Sequence, residues 1–160
     1  MNLKELIDYG KAEKEFYTKW IKKAKKANNR ALDEQFHVLH HEVFRKIDCL
    51  DCANCCKTTS PIFRDVDIKR LSKRLRIAES KFIETYLRVD EDQDYVLRTA
   101  PCPFLGSDNY CSVYEDRPLA CREYPHTDRK NMYQILDLTR KNMEVCPAVS
   151  YIMKEISKKI

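Results

Sequence analysis

The sequence predicts a mainly α-helical protein with a small, irregular α+β core rich in cysteine and an N-terminal helical pair ahead of it. Apolar residues recur at helical spacing at both ends of the chain, whereas the middle alternates short strand-like segments with proline and turn residues. All eight cysteines lie beyond residue 48. We therefore predict two parts, the N-terminal helical pair in residues 1–47 and a cysteine-rich domain in residues 48–160.

The N-terminal part contains two apolar stripes at the three- and four-residue spacing of amphipathic helices. The first stripe runs from Leu3 to Ala27 and stops at Asn28-Asn29, since asparagine commonly lies at helix ends. The second stripe consists of Leu32, Phe36, Leu39, Val43 and Ile47. Together the stripes predict an antiparallel pair of helices.

Further helices are predicted beyond the first cysteines. Asp65 or Asp67 caps one helix, Glu79-Ser80 begins the next, and Pro147 introduces the last. A shorter helix is predicted with Pro118 in its first turn, where a missing N–H costs nothing.

Strand character is limited to short segments. Residues 95–99 and 132–136 are predicted strands, and the acidic run 90–94 is a predicted hairpin turn. Residues 101–114 predict a second small hairpin that carries Cys102 and Cys111 close to its turn.

The cysteines form the most specific pattern in the chain. The run Cys49-Leu-Asp-Cys52-Ala-Asn-Cys55-Cys56 contains two overlapping CxxC steps, and Cys102, Cys111, Cys121 and Cys146 follow later. A CxxC step can turn two thiolates onto one metal ion. Adjacent side chains diverge, so Cys55 and Cys56 do not suit a single mononuclear ion. We predict a metal-stabilised core in which all eight cysteines are ligands, either of two metal sites or of one multinuclear cluster.

Zinc and iron both suit such a ligand set. Eight thiolates can form two closed four-cysteine zinc sites, or four can hold an iron–sulfur cluster and leave the others for a second ion or for redox chemistry. Cysteine spacing alone does not separate these alternatives. Three histidines are further candidate ligands: His126, which follows Cys121, and the pair His37 and His41, which lie one helical turn apart.

The composition excludes some functional classes and leaves others open. Only two glycines are present, which excludes a glycine-rich phosphate loop or a dinucleotide fingerprint. The net charge of +5 and the lysines of the first helix suit a solvated helix face better than a nucleic-acid surface. A protein partner of the N-terminal helices stays open. Arg117 and Arg122 could neutralise thiolates or pair with nearby acids.

The first residues already carry charges where a secretory signal has its apolar core. Uncharged stretches are also far shorter than the ~20 apolar residues of a membrane-spanning helix. We therefore expect no membrane association and a cytoplasmic location, in which thiols stay reduced and do not pair as disulfides.

Three sequence words accompany the CxxCxxCC run: Cys102-Pro-Phe-Leu, then Cys111-Ser-Val-Tyr-Glu-Asp-Arg-Pro-Leu-Ala-Cys121-Arg-Glu-Tyr-Pro, and finally Asn142-x3-Cys146-Pro-Ala. Together they resemble the YkgJ-type cysteine-cluster family, also described as CxxCxxCC or zinc- or iron-chelating domain proteins. The resemblance covers about residues 45–150, places all eight cysteines at family positions and leaves the N-terminal helices outside. One departure is Ala53-Asn54, where many members have a glycine.

Two functional classes follow from the cysteines and the resemblance. The first is a non-enzymatic metal-binding protein that chelates zinc or iron. The alternative is an iron–sulfur-dependent enzyme such as a methyltransferase, because the flagellin lysine N-methylases carry a similar cluster. The sequence contains no Ser/His/Asp arrangement that would identify a catalytic residue, and it leaves open whether the protein is an enzyme.

Overall fold

The computed structural model describes residues 2–160, which form ten α-helices, two short strands and two 3₁₀ turns. The helices are α1 (Leu3–Ala12), α2 (Lys14–Ala24), α3 (Asn29–Phe44), α4 (Cys49–Cys52), α5 (Asn54–Thr58), α6 (Asp65–Leu75), α7 (Glu79–Tyr86), α8 (Leu119–Glu123), α9 (Leu136–Met143) and α10 (Pro147–Ser157). The strands are β1 (Leu87–Val89) and β2 (Tyr95–Leu97), and the 3₁₀ turns are Tyr114–Asp116 and Met132–Ile135. The predicted fold class, mainly helical with N-terminal helices and a small sheet, is confirmed.

Backbone contacts divide the chain into two compact units. Unit 1 comprises the residues up to Cys52 together with Pro125–Ile160, and unit 2 comprises Ala53–Tyr124. The domain boundary that we placed between residues 47 and 48 from the sequence stays a prediction. No helix within residues 2–160 combines the length and the apolar composition that crossing a membrane requires.

The N-terminal stripe that we read as one helix forms two helices. The backbone of Glu13 has φ −89° and ψ 17°, outside the α-helical range, and separates α1 from α2. The chain bends there without losing its hydrogen bonds, because Glu13 N–H donates to the Tyr9 carbonyl and Tyr17 N–H donates to the Glu13 carbonyl, both at 3.0 Å. Asn28 then caps α3, accepting a hydrogen bond from Ala31 N–H.

Unit 1 is built around α10, which contacts α1, α3 and α9. Its core includes the predicted stripe of α3, and the side chains of Tyr17, Phe36, Met143 and Ile152 are fully buried. Gly10 is also buried, and its Cα approaches the Met143 carbonyl so closely that a Cβ would collide with it. Burial of this apolar face is what orders the helices.

Unit 2 has a smaller core, made by Phe63, Ile68, Leu71, Phe82, Leu87, Leu97, Phe104 and Val113. β1 and β2 pair in antiparallel register with Leu87 opposite Leu97, which confirms the predicted turn at residues 90–94. After β2 the chain is irregular. An isolated bridge between Leu105 and Cys111 forms the predicted second hairpin.

Two local predictions were wrong. Residues 132–136 do not form a strand, because Met132–Ile135 form a 3₁₀ turn and Leu136 begins α9. Met132 and Leu136 are both fully buried at helical spacing, and the Asp33 carboxylate accepts hydrogen bonds from Asn131 N–H at 2.7 Å and Met132 N–H at 2.9 Å. This tertiary contact outweighs the local preference for a strand. Pro118 precedes α8 and does not lie in its first turn.

Candidate metal centre

The eight predicted ligands are divided between the two units. Unit 1 contains Cys49, Cys52 and Cys146, and unit 2 contains Cys55, Cys56, Cys102, Cys111 and Cys121. All eight belong to the described residues 2–160, and none of them forms a disulfide there. The structure therefore describes each group of thiols within its own unit.

Four cysteines of unit 2, Cys56, Cys102, Cys111 and Cys121, lie within electrostatic range of one another, and we call them the unit 2 thiol set. Cys56 comes from α5 and Cys121 from α8, whereas Cys102 and Cys111 flank the second hairpin. The backbone joins two of them, because Cys102 N–H donates to the Cys56 carbonyl at 2.7 Å.

Backbone N–H groups point at two sulfurs of this set. Burial raises the pKa of Cys102 and of Cys111, whereas the N–H groups of Phe104 and Leu105 lower the pKa of Cys102 and the N–H group of Val113 lowers that of Cys111. The donors lie two or three residues after the cysteine, as the turn that follows each cysteine directs them back. Such donors orient a sulfur and stabilise negative charge on it.

The thiols of the unit 2 set differ in how readily they ionise. Burial raises the pKa of Cys121 to about 12, and the neighbouring thiols Cys56, Cys102 and Cys111 act in the same direction. At Cys56, a hydrogen bond from Cys55 lowers the pKa to about 7 against the effect of burial, and the positive charge of Arg117 adds to this lowering. Cys56 is thus the thiol of this set that ionises most easily.

Of the two arginines predicted to neutralise thiolates, only Arg117 lies close enough to the unit 2 thiol set for its charge to act on the sulfurs. Its charge lowers the pKa of Cys56, Cys111 and Cys121, in each case as a smaller contribution than burial. Its guanidinium lies over the Tyr114 ring, 3.8 Å from the ring centre. Arg122 instead donates to the Glu115 carbonyl at 2.8 Å.

The unit 1 thiol set consists of Cys49 and Cys52, which bound α4, and Cys146, which precedes Pro147 at the start of α10. Burial raises the pKa of Cys146 to about 12, and Cys49 and Cys52 raise it further. The N–H groups of Ala148 and Val149 act in the opposite direction and lower the pKa of Cys146, as those of Phe104 and Leu105 do at Cys102. The Cys146 N–H donates to the Asn142 carbonyl at 2.7 Å.

Ala53 has a left-handed backbone, with φ 47° and ψ 16°, between α4 and α5. Most residues other than glycine avoid this conformation because the Cβ approaches the following carbonyl oxygen, at a cost of roughly 1–2 kcal/mol. The sequence shows alanine here where many proteins with a similar run have glycine. The backbone thus explains why glycine suits the position.

From the sequence, Asp67 was predicted only as a possible helix cap, but in the structure it makes several further contacts. Its carboxylate is fully buried and accepts hydrogen bonds from Arg64 N–H, Nε and Nη2 at 3.0 Å, from Arg70 Nη2 at 2.9 Å and from Leu119 N–H at 3.3 Å. Burial alone would raise the pKa of Asp67, but these hydrogen bonds together lower it to about 2. The available signal was an arginine three residues to either side of an aspartate.

Two of the helix α3 histidines contact the segment that begins unit 1 again after Tyr124. His37 Nε2 lies 2.9 Å from the Arg129 carbonyl oxygen, and His40 Nδ1 lies 2.8 Å from Thr127 Oγ1. The His41 ring packs edge-on against His40. His126 has a left-handed backbone with φ 62°. Within residues 2–160, no three His, Cys, Asp or Glu side chains have the arrangement of a formed metal site.

We expect the double substitution of His37 and His41 by alanine to leave the bound metal unchanged. His37 donates to a backbone carbonyl, so its loss should cost about 1 kcal/mol of folding stability without removing a ligand. Elemental analysis of the purified variant, with urea unfolding alongside, measures both quantities. Loss of one metal equivalent per chain would place these histidines among the ligands.

A family model described as a "putative zinc- or iron-chelating domain", CxxCxxCC, matches residues 48–147. Searches of curated proteins and of solved structures found no significant match. The matched segment contains every cysteine of the chain and more than half of its residues. This agrees with the resemblance seen in the sequence and supports a metal ion as the ligand. The chain belongs to the CxxCxxCC family.

Proposed function

We propose that this protein binds zinc or iron through its cysteine thiolates, as a metal-stabilised binding module. One observation carries the proposal: backbone N–H groups that closely follow Cys102, Cys111 and Cys146 lower the pKa of each thiol, against the larger effect of burial, which raises it. A cysteine binds metal as the thiolate, and N–H donors aimed at the sulfur favour that charged form and fix its direction.

The donor chemistry also supports zinc or iron. Thiolate-only sets select zinc and iron–sulfur centres over magnesium or calcium, which prefer oxygen. The unit 2 set offers four thiolates, the number that a closed tetrahedral zinc site requires. Burial raises the pKa of Cys121, and repulsion from the neighbouring thiols Cys56, Cys102 and Cys111 raises it further. A divalent cation would offset that repulsion and displace the protons.

The direct test uses untagged protein purified without oxygen. Elemental analysis and an absorption spectrum of the same sample identify the metal. A colourless protein with zinc would establish a structural zinc module, whereas a visible sulfur-to-iron charge-transfer band would establish an iron–sulfur centre. Protein that contains neither metal, and takes up neither when both are supplied under reducing conditions, would refute the proposal.

We expect Cys102→Ser and Cys146→Ser each to lose part of the bound metal, because each removes one thiolate from a different thiol set. Serine keeps the size of the side chain but is a poor ligand for zinc or iron. The two variants are matched controls for each other, and their double variant should retain no tightly bound metal. Loss of all metal from either single variant would instead indicate one multinuclear centre, and full retention in both would remove these cysteines from the ligand set.

A further inference from the structure

We infer that Asp67 is a positioning residue that sets where the thiols of Cys111 and Cys121 stand. The inference rests on the proposed metal-binding function and deepens it. Asp67 contacts neither thiol; it acts through Arg70 and through the backbone at the start of α8. A buried carboxylate of helix α6 and its arginine partners thereby shape the irregular segment between Cys111 and Cys121, which are two of the four cysteines of the unit 2 thiol set.

Asp67, Arg70 and Arg74 lie three and four residues apart on α6, so their side chains leave the helix on one face. Asp67 is fixed first. Its side chain has no solvent exposure, and Arg64 holds it through both guanidinium and backbone N–H donors. Asp67 Oδ1 in turn accepts from Arg70 Nη2 at 2.9 Å and therefore fixes the direction of that guanidinium.

The two arginines hold the segment between Cys111 and Cys121 at several backbone points. Arg70 donates to the carbonyls of Arg117 at 2.8 Å and Asp116 at 3.3 Å. Arg74 donates to the carbonyl of Ser112 at 2.9 Å and to the Asp116 carboxylate at the same distance. Ser112 directly follows Cys111, so the hydrogen bond from Arg74 holds the backbone next to the Cys111 thiol.

Asp67 influences the position of the Cys121 thiol through the backbone of helix α8. Its Oδ1 accepts a hydrogen bond from Leu119 N–H at 3.3 Å, two residues before Cys121. The helix has only five residues and no side-chain cap of its own, so Asp67 supplies a hydrogen bond that the first turn lacks. The carboxylate thus links Arg70 and the backbone that carries Cys121.

These contacts are better explained by a role in positioning Cys111 and Cys121 than by a contribution to folding stability. The burial of Asp67 is weak evidence for stability, because removing a carboxylate from water carries a cost that its attraction to the partly exposed Arg64 and Arg70 must first offset. The segment from Ser112 to Pro118 contains one 3₁₀ turn and otherwise no regular structure. Its course is therefore set by the contacts with α6, and so is the separation of the two thiols at its ends.

The test is a Co²⁺ titration of the full chain, since Co²⁺ takes the tetrahedral thiolate sites of zinc and reports them by absorption. In the Asp67→Asn variant we expect the affinity for one of the bound cobalt ions to fall about 10- to 100-fold, the usual effect of a group that orients a ligand. The sulfur-to-cobalt charge-transfer intensity per bound ion should also fall. Asp33→Asn is the matched control, because Asp33 likewise accepts two backbone N–H bonds but in unit 1. The Asp33→Asn variant should have a lower free energy of unfolding and an unchanged cobalt charge-transfer spectrum.

A second variant covers the case in which Asp67→Asn does not fold. Arg74→Gln removes the contacts with Ser112 and Asp116 at a partly exposed position, and it should weaken the same cobalt ion by several fold. Unchanged affinity and spectrum in every variant that folds would overturn the positioning role alone. A wild-type protein that binds no cobalt, zinc or iron would refute the proposed function itself.

Discussion

Removing the bound metal from the reduced protein is expected to unfold unit 2 while unit 1 stays helical. Unit 2 buries a small apolar core, and its segment from residue 99 to residue 123 contains only an isolated bridge, a 3₁₀ turn and a five-residue helix. A structural zinc ion supplies roughly 10–16 kcal/mol in small zinc domains, as much as or more than the roughly 5–15 kcal/mol by which whole domains are stable. Unit 1 has a larger apolar core around α10, in which Cys146 is only one of several partly buried residues packed against the fully buried ones.

Amide hydrogen exchange read by mass spectrometry distinguishes the two units. After treatment with a chelator and a thiol reductant, peptides from residues 99–124 should exchange rapidly, whereas peptides from α3 and α10 should stay protected. Restoring zinc should restore protection, which controls for damage during chelation. Equal loss of protection in both units would contradict the expectation, as would no loss in either.

Local spacing was enough to predict helices α3 and α10 of unit 1. Every residue of the second predicted stripe, from Leu32 to Ile47, is buried, because an amphipathic helix has one apolar face and that face must be covered. The helix after Cys146-Pro147 follows the same rule, with Ala148, Ile152 and Ile156 buried. In such elements the sequence pattern and the tertiary structure depend on the same few residues.

Hydrogen bonds between distant segments could not be predicted in this way. Asp67 accepts a hydrogen bond from Leu119, and Asp33 accepts from Asn131 and Met132, so each joins segments far apart in the chain. No local periodicity marks such a pair. The cysteine spacing predicts candidate ligands but does not predict which thiols lie together, because the fold of the intervening chain determines that. The assignment of all eight as metal ligands stays a prediction.

Replacing Gly10 by alanine is expected to destabilise the protein by about 3 kcal/mol, at the upper end of the usual cost of overpacking. A glycine-to-alanine substitution in a helix interior usually stabilises a protein, because alanine is favoured there over glycine by about 1 kcal/mol, so a loss of stability at Gly10 would be the opposite of the usual effect. In α1, however, a Cβ at this position would overlap the Met143 carbonyl oxygen and approach Ser150 Oγ to 2.6 Å. Two helices could accommodate it only by moving apart.

Neither the Met143 carbonyl nor Ser150 Oγ can move aside without a loss of stability. Ser150 Oγ donates to the Met143 carbonyl at 2.7 Å in a fully buried position, so displacing either atom breaks that hydrogen bond and leaves polar groups without water. Urea unfolding of the metal-loaded protein measures the effect, with Lys11→Ala as the control at an exposed position of the same helix, where a change within about 0.5 kcal/mol is expected. A Gly10→Ala variant more stable than the wild type would show that α1 does not approach Met143 this closely. Destabilisation by that variant would instead assign this rare glycine to helix packing, a role that its position in the sequence does not indicate.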